Sequence, residues 1–142
     1  MKKSLFVLVV CLISCISASA QSKIIYSNPI THCYITEFLV NDNVLYQISE
    51  TSDRKIWRFA DREETQVLGL FTKKEVLTIF NSVISLYAEK KLNKTIEIND
   101  VVLTYKKIYG IKCVNFTHKK IGVNFNINKK TAMDVVYLFQ TK

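Results

Sequence analysis

The apolar residues of this chain change their period three times, and that pattern limits the fold more than any other feature. Residues 34–40 and 44–49 alternate as strands do, and Asn41-Asp42-Asn43 between them is a turn signature. Residues 55–59 and 65–71 read as two further strands, split by a charged turn at 60–64. From Thr72 to about Lys91 the spacing becomes helical, with Val76, Ile79, Phe80, Val83, Ile84 and Tyr87 on one stripe. Thr72-Lys73-Lys74-Glu75 supplies a capping box at its start. Lys90 and Lys91 stand at its C-terminal end, where the helix dipole favours cations.

Strand spacing then returns. Residues 95–98, 101–109, 111–116 and 121–127 are four runs, parted by Asn99-Asp100, Gly110 and a turn at 117–120. Asn128 caps a last helix through Gln140, with Ala132, Val135, Val136 and Phe139 on one face. The expectation is an α+β fold of antiparallel sheet with two helices, in the order ββββα-ββββα. Residues 24–26 add a short extended segment before it. The halves can be laid over each other as an internal duplication. Leu68-Gly69-Leu70 falls on Ile121-Gly122-Val123, Asn43-Val44-Leu45-Tyr46 on Asp100-Val101-Val102-Leu103, and the two helix starts on each other. An open sheet, or two sheets, covered by helices on one face is the leading arrangement. Eight strands closed into a barrel is the alternative.

The N-terminus reads as an address. Lys2 and Lys3 precede an apolar run from Leu5 to Ile13, and Ala18-Ser19-Ala20 follows. A basic start, an apolar middle and small residues at the end make a secretory signal peptide over residues 1–20. It leaves one domain over residues 21–142. The apolar run is well short of the roughly 20 residues that span a bilayer. The ending Ala18-Ser19-Ala20-Gln21 resembles bacterial export signals. Leu12-Ile13-Ser14-Cys15 resembles a lipobox, which implies an alternative processing with a lipid anchor at Cys15. The expected place is therefore the periplasm or the medium, with a lipid-anchored envelope protein as the alternative. No further apolar stretch in the mature chain is long enough to cross a membrane.

Loss of the signal removes Cys11 and Cys15 and leaves Cys33 and Cys113. Two cysteines in an oxidising compartment suggest one Cys33–Cys113 bridge. Closing a loop of about 80 residues, it would contribute about 4 kcal/mol in the chain-entropy description. The alternative is a pair of buried thiols acting as small apolar groups.

Net charge is +8 for the whole chain and falls to about +6 without Lys2 and Lys3. It is unevenly placed. Residues 21–64 are slightly acidic, whereas residues 65–142 hold thirteen Lys against five acids. Five Lys-Lys doublets lie there, at 73–74, 90–91, 106–107, 119–120 and 129–130. One reading is a basic face for nucleic acid or another polyanion, which requires the doublets to share a face. The other is solubilising charge at element ends. The basic part contains no Arg, the side chain best suited to bidentate phosphate contact.

Catalytic chemistry has little to work with. His32 and His118 are the chain's two histidines, and acid–base cleavage of a polyanion, ribonuclease-like, would need both imidazoles within about 7 Å in a lysine-lined cleft. A Cys–His nucleophile conflicts with an oxidising compartment. Serine-hydrolase, phosphate-loop and zinc-protease motifs are absent, as is metal-ligand spacing. The cluster Asp61, Glu63 and Glu64 surrounds Arg62 and reads as a solvated loop. No cofactor and no metal are expected. Trp57, Arg58 and Phe59 form the most interface-like stretch, since Trp and Arg recur in binding hot spots. In a strand, Trp57 and Phe59 would share a side, as core or as a candidate binding face.

The expectation is thus a small exported binding or interaction protein without a catalytic centre. An unknown protein is the expected partner, with nucleic acid or another polyanion behind it. The rival is a secreted basic hydrolase using His32 and His118.

Overall fold

Each half of the chain is a four-stranded antiparallel meander followed by one helix. The computed structural model describes residues 21–56 and 60–142, with the backbone alone for 52–56 and 60–64. Sheet A comprises β1 (Ser22–Asn28), β2 (Cys33–Val40), β3 (Asn43–Ile56) and β4 (Ala60–Phe71), in that spatial order. Helix α1 (Lys73–Glu89) follows. Sheet B comprises β5 (Thr95–Ile98), β6 (Val101–Ile108), β7 (Ile111–His118) and β8 (Asn124–Ile127), again in sequence order, and α2 (Lys129–Gln140) closes the chain. The expected α+β order ββββα-ββββα is therefore the observed one, as two open sheets.

The helix starts form as the sequence dictates. Thr72 Oγ1 accepts from the Glu75 amide at 3.3 Å, and Glu75 Oε2 accepts from the Thr72 amide at 2.8 Å, completing the capping box. Asn128 Oδ1 accepts from the Thr131 amide at 2.8 Å. The β2–β3 turn is Asn41-Asp42, both at positive φ, which suits a two-residue hairpin and these side chains. The β6–β7 turn is Tyr109-Gly110, also at positive φ. Tyrosine is an uncommon choice there, since a left-handed backbone costs a non-glycine residue about 1 kcal/mol.

The strand boundaries of the first half differ from the expectation. The segment 24–26 is part of a full strand, β1, paired with β2. The run 44–49 and residues 55–56 belong to one long strand, β3, and the polar residues between them are extended as well. Beyond Glu50, where pairing to β2 ends, β3 and β4 continue as a two-stranded ribbon from Thr51↔Thr65 to Ile56↔Ala60. A ribbon with no third strand has no core to face, and needs no apolar alternation.

The proposed superposition of the halves also needs correction. The caps Thr72 and Asn128 do correspond, but Asn43 opens the third strand of its sheet and Val101 the second of its own. Gly69 lies inside β4 beside a bulge, at φ +151°, with the Phe71 ring 3.2 Å from where a Cβ would sit. Gly122 precedes β8 and has open space around it. The architecture repeats; those residue matches do not.

Both helices cover the same side of both sheets. Ile35, Ile48 and Leu68 of sheet A join Leu103, Tyr105, Phe116 and Ile127 of sheet B in one buried cluster with Val76, Phe80, Val135 and Phe139 of the helices. Tyr46 meets Phe139 edge-on at 4.7 Å between ring centroids, and Phe80 meets Phe116 at 5.9 Å. A second link is polar. Asn28, buried at the end of β1, donates from Nδ2 to Thr131 Oγ1 at 3.1 Å, while its Oδ1 accepts from the amides of Ile30 and Thr31 at 2.9 and 3.1 Å. It fastens the β1–β2 turn to the first turn of α2.

Candidate functional site

The register decides what the other side of each sheet presents. In β2 and β3, Ile35 faces Ile48 toward the helices, so Phe38 faces Leu45 and Thr36 faces Gln47 on the far side. In β4, Leu70 lies opposite Gln47 and Val67 opposite Ser49 on that same far side. Ile24 of β1, opposite Thr36, joins them. The helix-free face of sheet A is thus built of Ile24, Phe38, Leu45, Val67 and Leu70 around Thr36, Gln47 and Ser49. No charged side chain stands among its described positions. Ile24 and Val67 remain 61% and 37% exposed. None of these apolar residues belongs to the buried cluster under the helices or packs against it.

The corresponding face of sheet B has the opposite character. Thr95 and Glu97 of β5, Val102, Thr104 and Lys106 of β6, Cys113, Asn115 and Thr117 of β7, and Asn124 and Asn126 of β8 share it by register, so it is mostly polar. Asn115 is its buried centre and donates from Nδ2 to Asn124 Oδ1 at 2.5 Å and to Asn126 Oδ1 at 2.9 Å. Its own Oδ1 is buried without a hydrogen-bond partner among the described residues. The edges β4 and β8 meet where Asn124 donates its amide to Gln66 Oε1 at 2.7 Å.

The expected Cys33–Cys113 bridge is not formed; both cysteines are free and buried. Cys33 faces the helices from β2, inside the buried cluster, with Glu50 opposite it. Cys113 lies in β7 on the helix-free side of sheet B, since its neighbours Val114 and Phe116 face the core. Two side chains on opposite sides of different sheets cannot meet within disulfide reach. Burial pushes the Cys33 thiol up to about 12, with the Glu50 carboxylate adding to the effect. Burial raises Cys113 as well, against the pull of Lys106. Neither is the low-pKa thiolate a nucleophile needs.

The two histidines are not brought together. His32 sits in the β1–β2 turn, at positive φ, and its carbonyl accepts from the Thr51 amide at 3.0 Å. That turn is tied to Thr131 at the start of α2, directly after the end of β8. His118 ends β7 opposite Val101, four residues beyond the point where β7 pairs with the end of β8, or about 13 Å along the strand. Its ring Nδ1 accepts from the Lys120 amide at 3.1 Å. Burial holds His118 below the ordinary imidazole range, with Lys120 lowering it further and Asp100 opposing. His118 was expected inside a turn; the strand instead carries it to its last position. Trp57, Arg58 and Phe59 lie outside the described residues, as do Cys15 and the signal segment. The strands flanking Trp57, Arg58 and Phe59 are described, and Ile56 pairs with Ala60.

Among the described residues no group of three His, Cys, Asp or Glu is placed to hold a metal ion. No helix among them is long and apolar enough to cross a membrane. A shallow groove of about 630 Å³ runs along the solvent side of α1 past Lys74, Thr78, Asn81 and Ser85, and its lining holds no carboxylate or imidazole. Compared with known proteins, the chain matches no family model, and neither a curated protein nor a solved structure matches it.

Proposed function

We propose that this chain is a small exported binding protein without a catalytic centre, and that the helix-free face of sheet A takes a neutral, apolar surface of a protein partner. One observation carries the reading. In a chain of net charge +8, the described positions of this four-stranded face hold no charge and carry an apolar set of which Ile24 and Val67 are exposed. Isolated exposed apolar residues are ordinary, but a contiguous apolar patch marks an interaction surface. The ribbon beyond Thr51 and Thr65 continues from the same sheet and leads to Trp57, Arg58 and Phe59, whose composition suits a hot spot. Cleavage after Ala20 would release the protein to the periplasm or medium, and acylation at Cys15 would hold it at the envelope; either suits a binding role.

The test places a photo-crosslinking amino acid at Val67 in the native host, with Asn126 on the polar face as the control. A discrete adduct from Val67 and none from Asn126 supports the reading. Equal adducts, or none from Val67, would overturn it.

A further inference from the structure

The β6–β7 turn forms a second surface of different character. Sheet B stops flanking this hairpin early, because β5 begins opposite Thr104 and β8 ends opposite Val114. Residues 106–112 therefore project without a strand on either side. Ile108 faces Ile111 at the tip, and the turn between them places Tyr109 fully in solvent, with Ile111 71% exposed. Lys106, Lys107 and Lys112 stand immediately behind. Lys90 and Lys91 follow the end of α1 at the same place, since Asn93 and Lys94 just after them exchange backbone hydrogen bonds with Tyr105. Lys129 and Lys130 open α2 directly after β8. Three of the five lysine doublets thus gather at one end of sheet B. Among the described residues here, Glu89 is paired with Lys94 and Asp134 with Lys130.

We propose that this end docks the protein onto an anionic lipid surface, with Ile108, Tyr109 and Ile111 entering the interface and the lysines behind them resting on headgroups. The order of the parts selects a bilayer over another polyanion. The apolar tip is foremost, where a nucleic acid would leave it in water, and the cations form a collar behind it. The projecting strand segments rise about 10 Å, which matches the depth reached by interfacial segments. Tyrosine prefers the headgroup level, and lysine stems lie along apolar surface while the ammonium stays in water. Each lysine close to such a surface strengthens binding by about fivefold. The conformational cost of a tyrosine in a left-handed turn finds a use if the turn must present an aromatic ring outward. This surface is separate from the apolar face of sheet A, and either reading can fail alone.

The protein is purified in the form its host leaves, with its mass determined first. It is mixed with vesicles of phosphatidylcholine alone or with added phosphatidylglycerol. Binding is read by sedimentation and by amide exchange of residues 106–112. Two variants, Y109S/I111S and K106Q/K107Q/K112Q, alter exposed positions, and thermal unfolding checks that both keep the fold. Expected are slowed exchange at 106–112 with phosphatidylglycerol vesicles only, and partition weakened at least about tenfold in each variant relative to the parent in the same processed form. Exchange unchanged by vesicles would overturn the proposal. So would variants that sediment like the parent. If Y109S/I111S still binds phosphatidylglycerol vesicles and short duplex DNA as the parent does, the lysines serve polyanions in general and the lipid reading fails.

Discussion

Replacing Asn28 with alanine should destabilise the protein by about 2–3 kcal/mol, more than its position in a surface turn suggests. The side chain is buried and joins two parts of the fold separated by a hundred residues of sequence. Its bond to Thr131 Oγ1 lies in the interior, where losing a partner costs about 1–1.5 kcal/mol. The amides of Ile30 and Thr31 lose the acceptor Oδ1, but water reaches this turn, so each loss is about 0.5–1 kcal/mol. Thr131 keeps its 3.3 Å contact with Thr31, which limits the damage at that end. Removing the nearby helix cap, Asn128→Ala, should cost about 1 kcal/mol, because only one amide loses its acceptor.

Urea unfolding of the parent, N28A, T131V and the double variant measures both the total and the coupling. For a chain of this length, 2–3 kcal/mol corresponds to a fall of about 8–12 °C in Tm. The two substitutions should be non-additive by about 1 kcal/mol, since they share one bond. A loss below about 0.5 kcal/mol for N28A, or strict additivity, would refute the claim that Asn28 fastens the turn to α2.

Other outcomes follow from the packing and the titrating groups. Alkylation of the denatured, unreduced protein should modify both Cys33 and Cys113, whereas in the native state Cys33 should resist the reagent; an unmodified denatured protein would restore the bridge. Phe80→Ala should cost about 3–5 kcal/mol by urea unfolding, because its ring is fully buried against Phe116 between helix and sheet. The hydrogen bond from Lys142 holds the Glu37 carboxyl below its ordinary range, so its contribution is present above the unfolded value and is lost as pH falls through the folded one. Lys142→Gln should therefore flatten the acid limb of the stability profile by under about 1 kcal/mol, as expected of a partly solvated pair. By NMR, the His118 imidazole should titrate below 6.5, and its stabilising contribution should fade as pH drops from that value toward the folded one.

The helices were legible because their signals are local: a cap, a stripe and a polar face are all read within one stretch of chain. The strands of sheet B were legible for a related reason, since Asn99-Asp100 and Gly110 punctuate them. β3 was not. Its polar middle, Glu50 to Arg54, resembles a turn by composition, and only pairing with β4 shows that it is extended. The bulge at Leu68 and Gly69 was missed because it depends on the cross-strand shift between Ile48 and Ser49. Asn28 reads as a loop residue beside Pro29, and no local pattern announces that Thr131 will be its partner.

The same distinction explains why the candidate surfaces emerge only in three dimensions. The cysteine count is right for a bridge, but the alternation of each strand sends Cys33 inward and Cys113 outward from different sheets. The histidines read as a pair only while the strands between them are ignored. Conversely, Phe38, Leu45 and Leu70 look like ordinary core residues in a linear reading, since alternation alone does not say which side the helices will cover. With Ile35, Ile48 and Leu68 already filling the covered side, the apolar set on the far side becomes surplus to the fold. Sheet B, built on the same plan, places Thr104, Asn115 and Asn126 at its corresponding positions. Two sheets of the same plan, one with an apolar and one with a mostly polar outer face, indicate that the architecture alone does not demand the apolar face of sheet A, and this is the physical ground of our proposal that the face meets a partner.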